Sequence, residues 1–449
     1  MTDKTVLFML HALGGSAHAW GGVAAALPVN FETVTIDLPG FGEARHATDT
    51  SIAATVEHVA AAVRQRGAAR WMLVGHSMGG KIASIVAARA LAGEPGLFGL
   101  AGVVLLAASP PSPEPMDEDR RAQMIGWAAN GPLDGCAARA FVDANVGAPL
   151  DPAADRLALN DLQRSAPHAW LAWLERGSRE DWSGEVGTLE LPALIVAGGA
   201  DGDLGEAGQR ATNAVVYPQA RLVVEQGAGH LLPLERPSQV AEHIERFWQQ
   251  HAGRGPAIPD SFVHLIASAR VSRRVRATLA ARALADDAAY APRVLSPIQL
   301  NTLRAVTTCA LPQTGPAIDL AARIDAQLAA GKGDGWRFAD MPPDREAYPL
   351  ALDGLKGFGA LTSSEQQTSL ARLEQGDFDR AILTGAQMKR WFEDLRADLV
   401  RLWLGHPATM AVIGFDGFAN GGDGPRLQGF DRLAAGEQES WEPLMEVSR

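Results

Sequence analysis

A chain of 449 residues is too long for one ordinary hydrophobic core, so two or more domains are expected. With 47% apolar residues and a mean hydropathy of −0.03, its make-up is that of a globular chain, not of a disordered or membrane-embedded one. The formal charge of −12 divides into −10 over residues 1–250 and −2 over 251–449, leaving no basic excess to grip phosphate backbones and arguing against nucleic acid. The two cysteines, Cys136 and Cys309, lie far apart without metal-ligand spacing and read as reduced, buried thiols. No apolar run approaches the roughly 18 residues of a membrane span. Residues 6–10 are too short for a signal-peptide core, so a cytoplasmic location is expected.

In chain order, Val6-Leu7-Phe8-Met9-Leu10 is a continuous apolar run ending in His11-Ala12-Leu13-Gly14-Gly15. Such a run suits a parallel sheet covered on both faces. Val34-Thr35-Ile36-Asp37 follows as a second strand and breaks at Leu38-Pro39-Gly40-Phe41-Gly42. Residues 51–66 space Ile52, Val56, Val59 and Val63 as one helix face. Trp71-Met72-Leu73-Val74 then leads into Gly75-His76-Ser77-Met78-Gly79-Gly80, and residues 81–91 lead out as an Ala-rich helix. A strand turning into a helix through Gly-x-Ser-x-Gly is a nucleophile elbow, whose strained turn presents Ser77 above the sheet. Further strands are expected at 103–106, 194–197 and 222–224, so the alternation predicts a parallel α/β sheet with right-handed crossovers. Residues 115–185 interrupt it with Trp127, Trp170, Trp173 and Trp182 on helical segments. Some seventy residues exceed an ordinary crossover, so this block reads as a helical cap over the strand ends.

A serine hydroxyl needs a base to take its proton and a third group to orient that base. In this order of elements the acid and the histidine should follow in loops after later strands. Asp201, in Gly198-Gly199-Ala200-Asp201-Gly202-Asp203, is the expected acid, with Asp203 the alternative; His230, in Gly227-Ala228-Gly229-His230, is the expected base. Two backbone N–H groups should hold the oxyanion, that of Met78 after the nucleophile and that of Leu13, with Ala12 the alternative. His11 is read as a brace for that loop, and His76 as structural.

Together these motifs resemble the α/β-hydrolase family over about residues 4–250, most closely small esterases with a Gly-His-Ser-Met-Gly-Gly elbow. A serine at position 77 separates the chain from the dehalogenase and epoxide-hydrolase branches, which use aspartate there. Ala12 departs from the glycine usual in the family and narrows the oxyanion approach, and the chain opens at what resembles the family's third strand. The resemblance implies hydrolysis of an ester or lactone without specifying the acyl group; the tryptophan-rich cap suggests an apolar substrate group or a stacked sugar ring.

Residues 251–259 form a Gly- and Pro-containing linker, beyond which strand–helix alternation ceases. Val263, Leu265, Ile266, Val271, Val275 and Leu279 continue at helical spacing, with Arg270, Arg273, Arg274 and Arg276 read as a solvated face. Further amphipathic helices are expected around 303–306, 318–328, 370–373 and 388–404, making residues 260–449 a mainly α domain. Asp416 and Asp423 sit among glycines without calcium-loop spacing and read as plain turns, and no cofactor or metal motif is present.

Leu295-Ser296-Pro297, Leu311-Pro312-Gln313, Ala322-Arg323-Ile324-Asp325, Gly331-Lys332-Gly333-Asp334-Gly335-Trp336, Trp391-Phe392-Glu393-Asp394-Leu395 and Ile413-Gly414-Phe415-Asp416-Gly417 resemble the small-subunit family of gluconate 2-dehydrogenase, over about residues 260–445. That resemblance implies a partner, a flavin-bearing oxidoreductase subunit of the glucose–methanol–choline type. Many members carry an export signal at their start, a position held here by the hydrolase half. The expected protein is therefore a serine hydrolase of an ester or lactone fused to an all-α accessory domain. A second expectation, motivated by the fusion alone, is that this domain recruits a flavoprotein whose lactone product Ser77 opens. The alternative is a non-catalytic assembly subunit with a relic hydrolase half.

Overall fold

Six strands form one sheet in a computed structural model that describes residues 4–332, 338–378 and 382–415, with 417–418, 422–423, 434–435 and 437 beyond them. They are β1 (Thr5–Leu10), β2 (Phe31–Ile36), β3 (Trp71–His76), β4 (Leu100–Leu106), β5 (Ala193–Gly198) and β6 (Arg221–Glu225). The order is β2-β1-β3-β4-β5-β6, and every pair is parallel. Strands β1, β3, β4 and β5 are buried along their whole length, whereas the edge strands β2 and β6 are partly exposed. The long apolar runs thus lie in the strands covered on both faces. Alternate side chains supply two cores: Phe8, Leu73 and Leu105 face the helices Ile52–Arg66 and Met78–Leu91, while Leu7, Val74 and Val104 pack with Val240, Ile244 and Phe247 of the helix Pro237–Phe247.

The chain leaves β1 toward β2 on one side and returns to β3 on the other. That reversal opens a crevice at the carboxyl ends of β1 and β3, where loops 11–15 and Ser77 emerge. The interval between β4 and β5 is helical, with Glu118–Ala128, Gly135–Asn145, Pro152–Arg164 and Pro167–Ala172, the last running into a π-helical turn at Trp173–Gly177. Cys136 is exposed and Cys309 is half-buried, contrary to the expectation of buried thiols. In the helix Gly135–Asn145, Ala137, Ala138, Phe141 and Val142 take the inward stripe and leave Cys136 on the solvent side.

The chain divides into two compact units, with residues 4–253 and 258–284 in one and Arg254–Ala257 and Ala285–Phe415 in the other. The expected accessory region starting at residue 260 thus opens with two helices, Asp260–Ala267 and Arg273–Ala283, that belong to the α/β unit. They are separate helices because Ser272 caps the second, its hydroxyl accepting the Val275 N–H. The basic cluster is not a uniformly solvated face. Arg276 is fully buried and donates to the carbonyls of Gly93, Ile266, Ser268 and Val271 at 2.7–3.2 Å. Asp423 accepts the Arg273 N–H at 2.7 Å, while Asp416 lies outside the described residues.

The second unit is helical, with Pro297–Ala310, Leu320–Ala330, Asp344–Gly354, Ser363–Gln375 and Gly385–Leu404 around Leu303, Ile324, Tyr348, Trp391 and Leu395. The helix Asp344–Gly354 went unread in the sequence, and it holds Pro349 in its interior. Asp325 is fully buried and accepts from the Arg293, Val294 and Leu295 N–H groups and the Tyr290 hydroxyl, an anchor for the chain entering the helix at 297. The stretch Gly333-Asp334-Gly335-Trp336 lies outside the described residues.

Candidate active site

Ser77 sits at φ 50°, ψ −119°, a left-handed conformation rare for a residue with a Cβ. Its N–H donates to Leu106 O at 3.0 Å, and its carbonyl accepts from Gly80 N–H at 2.7 Å and Ser109 N–H at 2.9 Å. These bonds hold the strained turn. A Cβ on Gly75 would stand 2.6 Å from Gly79 O, and one on Gly79 would stand 2.4 Å from Leu10 O. The elbow glycines are therefore required by the close approach of strand, helix and the first loop.

His230 Nδ1 lies 2.8 Å from Asp201 Oδ2, with both side chains nearly buried. Asp201, not Asp203, is the carboxylate on the imidazole. Burial alone would lower the His230 pKa, but the charge and hydrogen bond of Asp201, helped by the Glu114 charge, leave it raised above 6.5. Burial likewise pushes the Asp201 carboxyl up, and the His230 charge and hydrogen bond outweigh it, so that its pKa ends below the ordinary value. Ser77, Asp201 and His230 line one cavity of about 40 Å³ with Ala12, Leu13, Glu114 and Trp173.

The histidine loop is fastened by residues that the sequence did not single out. The His230 and Leu231 N–H groups both donate to Asn145 O, at 2.8 and 3.2 Å, so the end of a cap helix fixes the base. Glu235 accepts from the Gly229 and Gly147 N–H groups. A Cβ on Gly198 would stand 2.0 Å from Gly229 O, which explains the glycines flanking both loops. Neither Asn145 nor Glu235 carries a local motif.

His11 and His76 are both neutral braces. Leu38 N–H donates to His11 Nε2 at 3.0 Å, so the proton is on Nδ1, which donates to Ala12 O at 2.7 Å. Burial lowers the His11 pKa to about 4. His76 Nε2 donates to His230 O at 2.7 Å, and burial, with the His230 charge, lowers its pKa to about 3. His11 thus fixes the loop carrying Ala12 and Leu13, and His76 fixes the backbone of His230. The Leu13 and Met78 N–H groups have no hydrogen-bond acceptor among the described residues.

Fold and site together define an α/β enzyme architecture with a serine elbow after the central strand and a carboxylate–histidine pair on later loops. A profile of the alpha/beta hydrolase family matches residues 7–243, more than half the chain. The chain belongs to the alpha/beta hydrolase family. It is 34% identical over 108 residues to a 2-succinyl-6-hydroxy-2,4-cyclohexadiene-1-carboxylate synthase of Serratia proteamaculans, over 24% of this chain and 40% of that protein. It is 33% identical over 109 residues to a pimeloyl-[acyl-carrier protein] methyl ester esterase of Sodalis glossinidius, over 24% of this chain and 38% of that one. The chain thus spans about two fifths of these curated relatives. Among solved structures, an esterase of Exiguobacterium antarcticum is similar at a TM-score of 0.49 and 16% identity, over 56% of this chain and 93% of that one. Among the described residues no helix is long and apolar enough to cross a membrane.

Proposed function

We propose that the chain is a serine hydrolase acting on a carboxylic ester or lactone through Ser77, His230 and Asp201. The observation that carries this reading is the buried Asp201–His230 pair opening with the strained Ser77 onto one cavity at the carboxyl ends of the strands. Ser77 Oγ attacks the carbonyl carbon while His230 takes its proton, and Asp201 holds the imidazole and balances the imidazolium. The Leu13 and Met78 N–H groups hold the oxyanion. His230 then returns the proton to the departing alkoxide, and water, activated by the same base, releases the acid and frees Ser77. The Sodalis relative's name, a methyl ester esterase, supports an ester over other acyl compounds.

The likeness of residues 260–445 to the gluconate 2-dehydrogenase small-subunit family supports a finer reading. In it the helical region recruits a flavin-bearing oxidoreductase, whose lactone product Ser77 opens. Co-purification of a flavoprotein with the full chain tests that part; a lone protein without lactonase activity overturns it. A fluorophosphonate probe tests the core reading. Labelling of Ser77 that disappears in His230→Ala is expected, along with loss of p-nitrophenyl acetate hydrolysis in Ser77→Ala. An unlabelled wild type would instead favour a non-catalytic assembly subunit.

A further inference from the structure

One wall of the catalytic cavity is a carboxyl group that the mechanism above does not use. Glu114 lies in the loop after β4 and is only 8% exposed. Its backbone N–H donates to Ser178 O at 2.7 Å, which fixes this loop to the end of the cap. Its side chain lines the cavity with Ser77 and His230, yet its Oε2 is buried without a hydrogen-bond partner. The Ser109 hydroxyl stands beside it, near enough to favour the ionised carboxylate, but not in hydrogen-bond geometry; Ser109 Oγ is also buried and unpartnered. Folded proteins seldom leave a buried carboxyl oxygen unsatisfied, because water lost from it must be replaced. An unpartnered carboxyl oxygen on a residue of the wall that holds the nucleophile, with Ser109 buried behind it, calls for a polar group supplied by the substrate.

The surrounding charges select that group. Lys81, Arg121 and His230 all act electrostatically on Glu114, and Arg120 lines the same cavity, so a substrate ammonium would meet repulsion. A hydroxyl meets none of it, and it can donate to a carboxylate or accept from a carboxylic acid. Burial pushes the Glu114 carboxyl toward its neutral form, and a hydroxyl satisfies either form. We propose that Glu114, backed by Ser109, is a recognition point for a hydroxyl group on the substrate, making the preferred substrate a hydroxy-ester or a hydroxylated lactone. This rests on the reading of Ser77 as nucleophile.

The test compares kcat/KM for the phenyl esters of 3-hydroxybutyric and butyric acid and the phenyl monoester of succinic acid. A site built around a substrate hydroxyl rejects the analogue lacking it by up to about 10⁵-fold, and a preference of roughly 10²-fold is expected for this partly open cavity. The preference should fall toward unity in Glu114→Leu, fall partway in Ser109→Ala, and largely survive in Glu114→Gln, which still offers a donor and an acceptor. A wild-type ratio near unity, an unchanged ratio in Glu114→Leu, or preference for the succinyl ester would overturn the proposal. Should Glu114→Leu fail to fold, the wild-type ratio and Ser109→Ala decide. Absence of fluorophosphonate labelling at Ser77 defeats the hydrolase reading itself; labelling without hydroxyl preference defeats this inference alone.

Discussion

Replacing Asp201 by asparagine keeps the shape of the side chain and removes its charge. In the protein the carboxylate lies 2.8 Å from His230 Nδ1, with side-chain exposures of 8% and 12%, so solvent screens the pair weakly. Burial depresses the proton affinity of His230, and Asp201 more than reverses that depression. Asparagine leaves burial unopposed except by Glu114, and its amide can pair with the unprotonated Nδ1, presenting the wrong tautomer to Ser77. Loss of charge and tautomer at such a pair lowers kcat by about 10⁴, or about 5 kcal/mol of transition-state stabilisation. The pH dependence has a sign. Only neutral imidazole accepts the serine proton, so wild-type activity rises with pH through the raised His230 pKa. In Asp201→Asn the residual activity should rise at a lower pH than in wild type. Profiles of kcat/KM for p-nitrophenyl acetate from about pH 5 to about pH 9 check both effects. The Asp203→Asn variant is expected within about twofold of wild type, because Asp203 makes no bond to His230. A collapse of Asp203→Asn, with Asp201→Asn active, would refute the assignment, as would an acid limb that moves upward.

A Gly79→Ala variant drives a Cβ to 2.4 Å from Leu10 O and 2.9 Å from His11 O, both backbone atoms. It should cost about 3 kcal/mol and displace the oxyanion loop, read as a melting temperature lower by roughly 10 °C; an unshifted midpoint would refute the close packing of helix against loop. The neutral braces make stability acid-sensitive: folded pKa values of about 4 for His11 and about 3 for His76 lie below the ordinary 6.5, so their contribution is full above about pH 6.5 and is lost as pH falls toward those values. From pH 7 to pH 5 the pair should cost about 4 kcal/mol, measured by denaturant midpoints, and His76→Asn should roughly halve that dependence on pH. Trp173 lines both the catalytic cavity and a second cavity of about 390 Å³ bounded by Leu38, Phe41, Ile52, Met78 and Arg176. Trp173→Leu should join them and raise kcat/KM for hexanoyl over acetyl esters by about tenfold; an unchanged chain-length profile would place the acyl group elsewhere.

The fold was legible wherever the signal is local. Val6-Leu7-Phe8-Met9-Leu10 and Trp71-Met72-Leu73-Val74 can be read because strands buried on both faces must be apolar throughout, and their ends carry the loops that chemistry requires. The elbow was legible because close backbone approach demands glycine at 75 and 79. What escaped was tertiary. Choosing between Asp201 and Asp203 depends on the path of a loop, which composition does not specify. Asn145 holds His230 across some eighty-five residues with its main-chain carbonyl, a contact any residue type could make. Glu114 lies in a Pro-rich loop without any local motif around it. Arg276 shared a spacing with exposed arginines, and only the carbonyls of Gly93 and the preceding turn distinguish it. Cys136 was assigned by the habits of its residue type, and the phase of its helix decided otherwise.

The cap is part of the site's framework as much as its cover. Lys81 leaves the elbow helix fully buried, and its Nζ donates to Gly177 O at 3.1 Å and Glu180 O at 2.8 Å, where the π turn at Trp173–Gly177 ends. Burial brings its pKa down to about 8, and the carbonyls at the end of the cap segment receive its charge. Asn145 ties a second cap helix to the His230 loop, and Ser178 ties the cap to the loop of Glu114. Nucleophile, base and the third carboxyl of the cavity are thus each fastened to a different point of the same insertion. A cap held this way cannot move as one body without disturbing Ser77 and His230 together. Substitution of Lys81, whose side chain makes its tie, should therefore lower kcat, whereas a cap that only gated entry would transmit the change to KM.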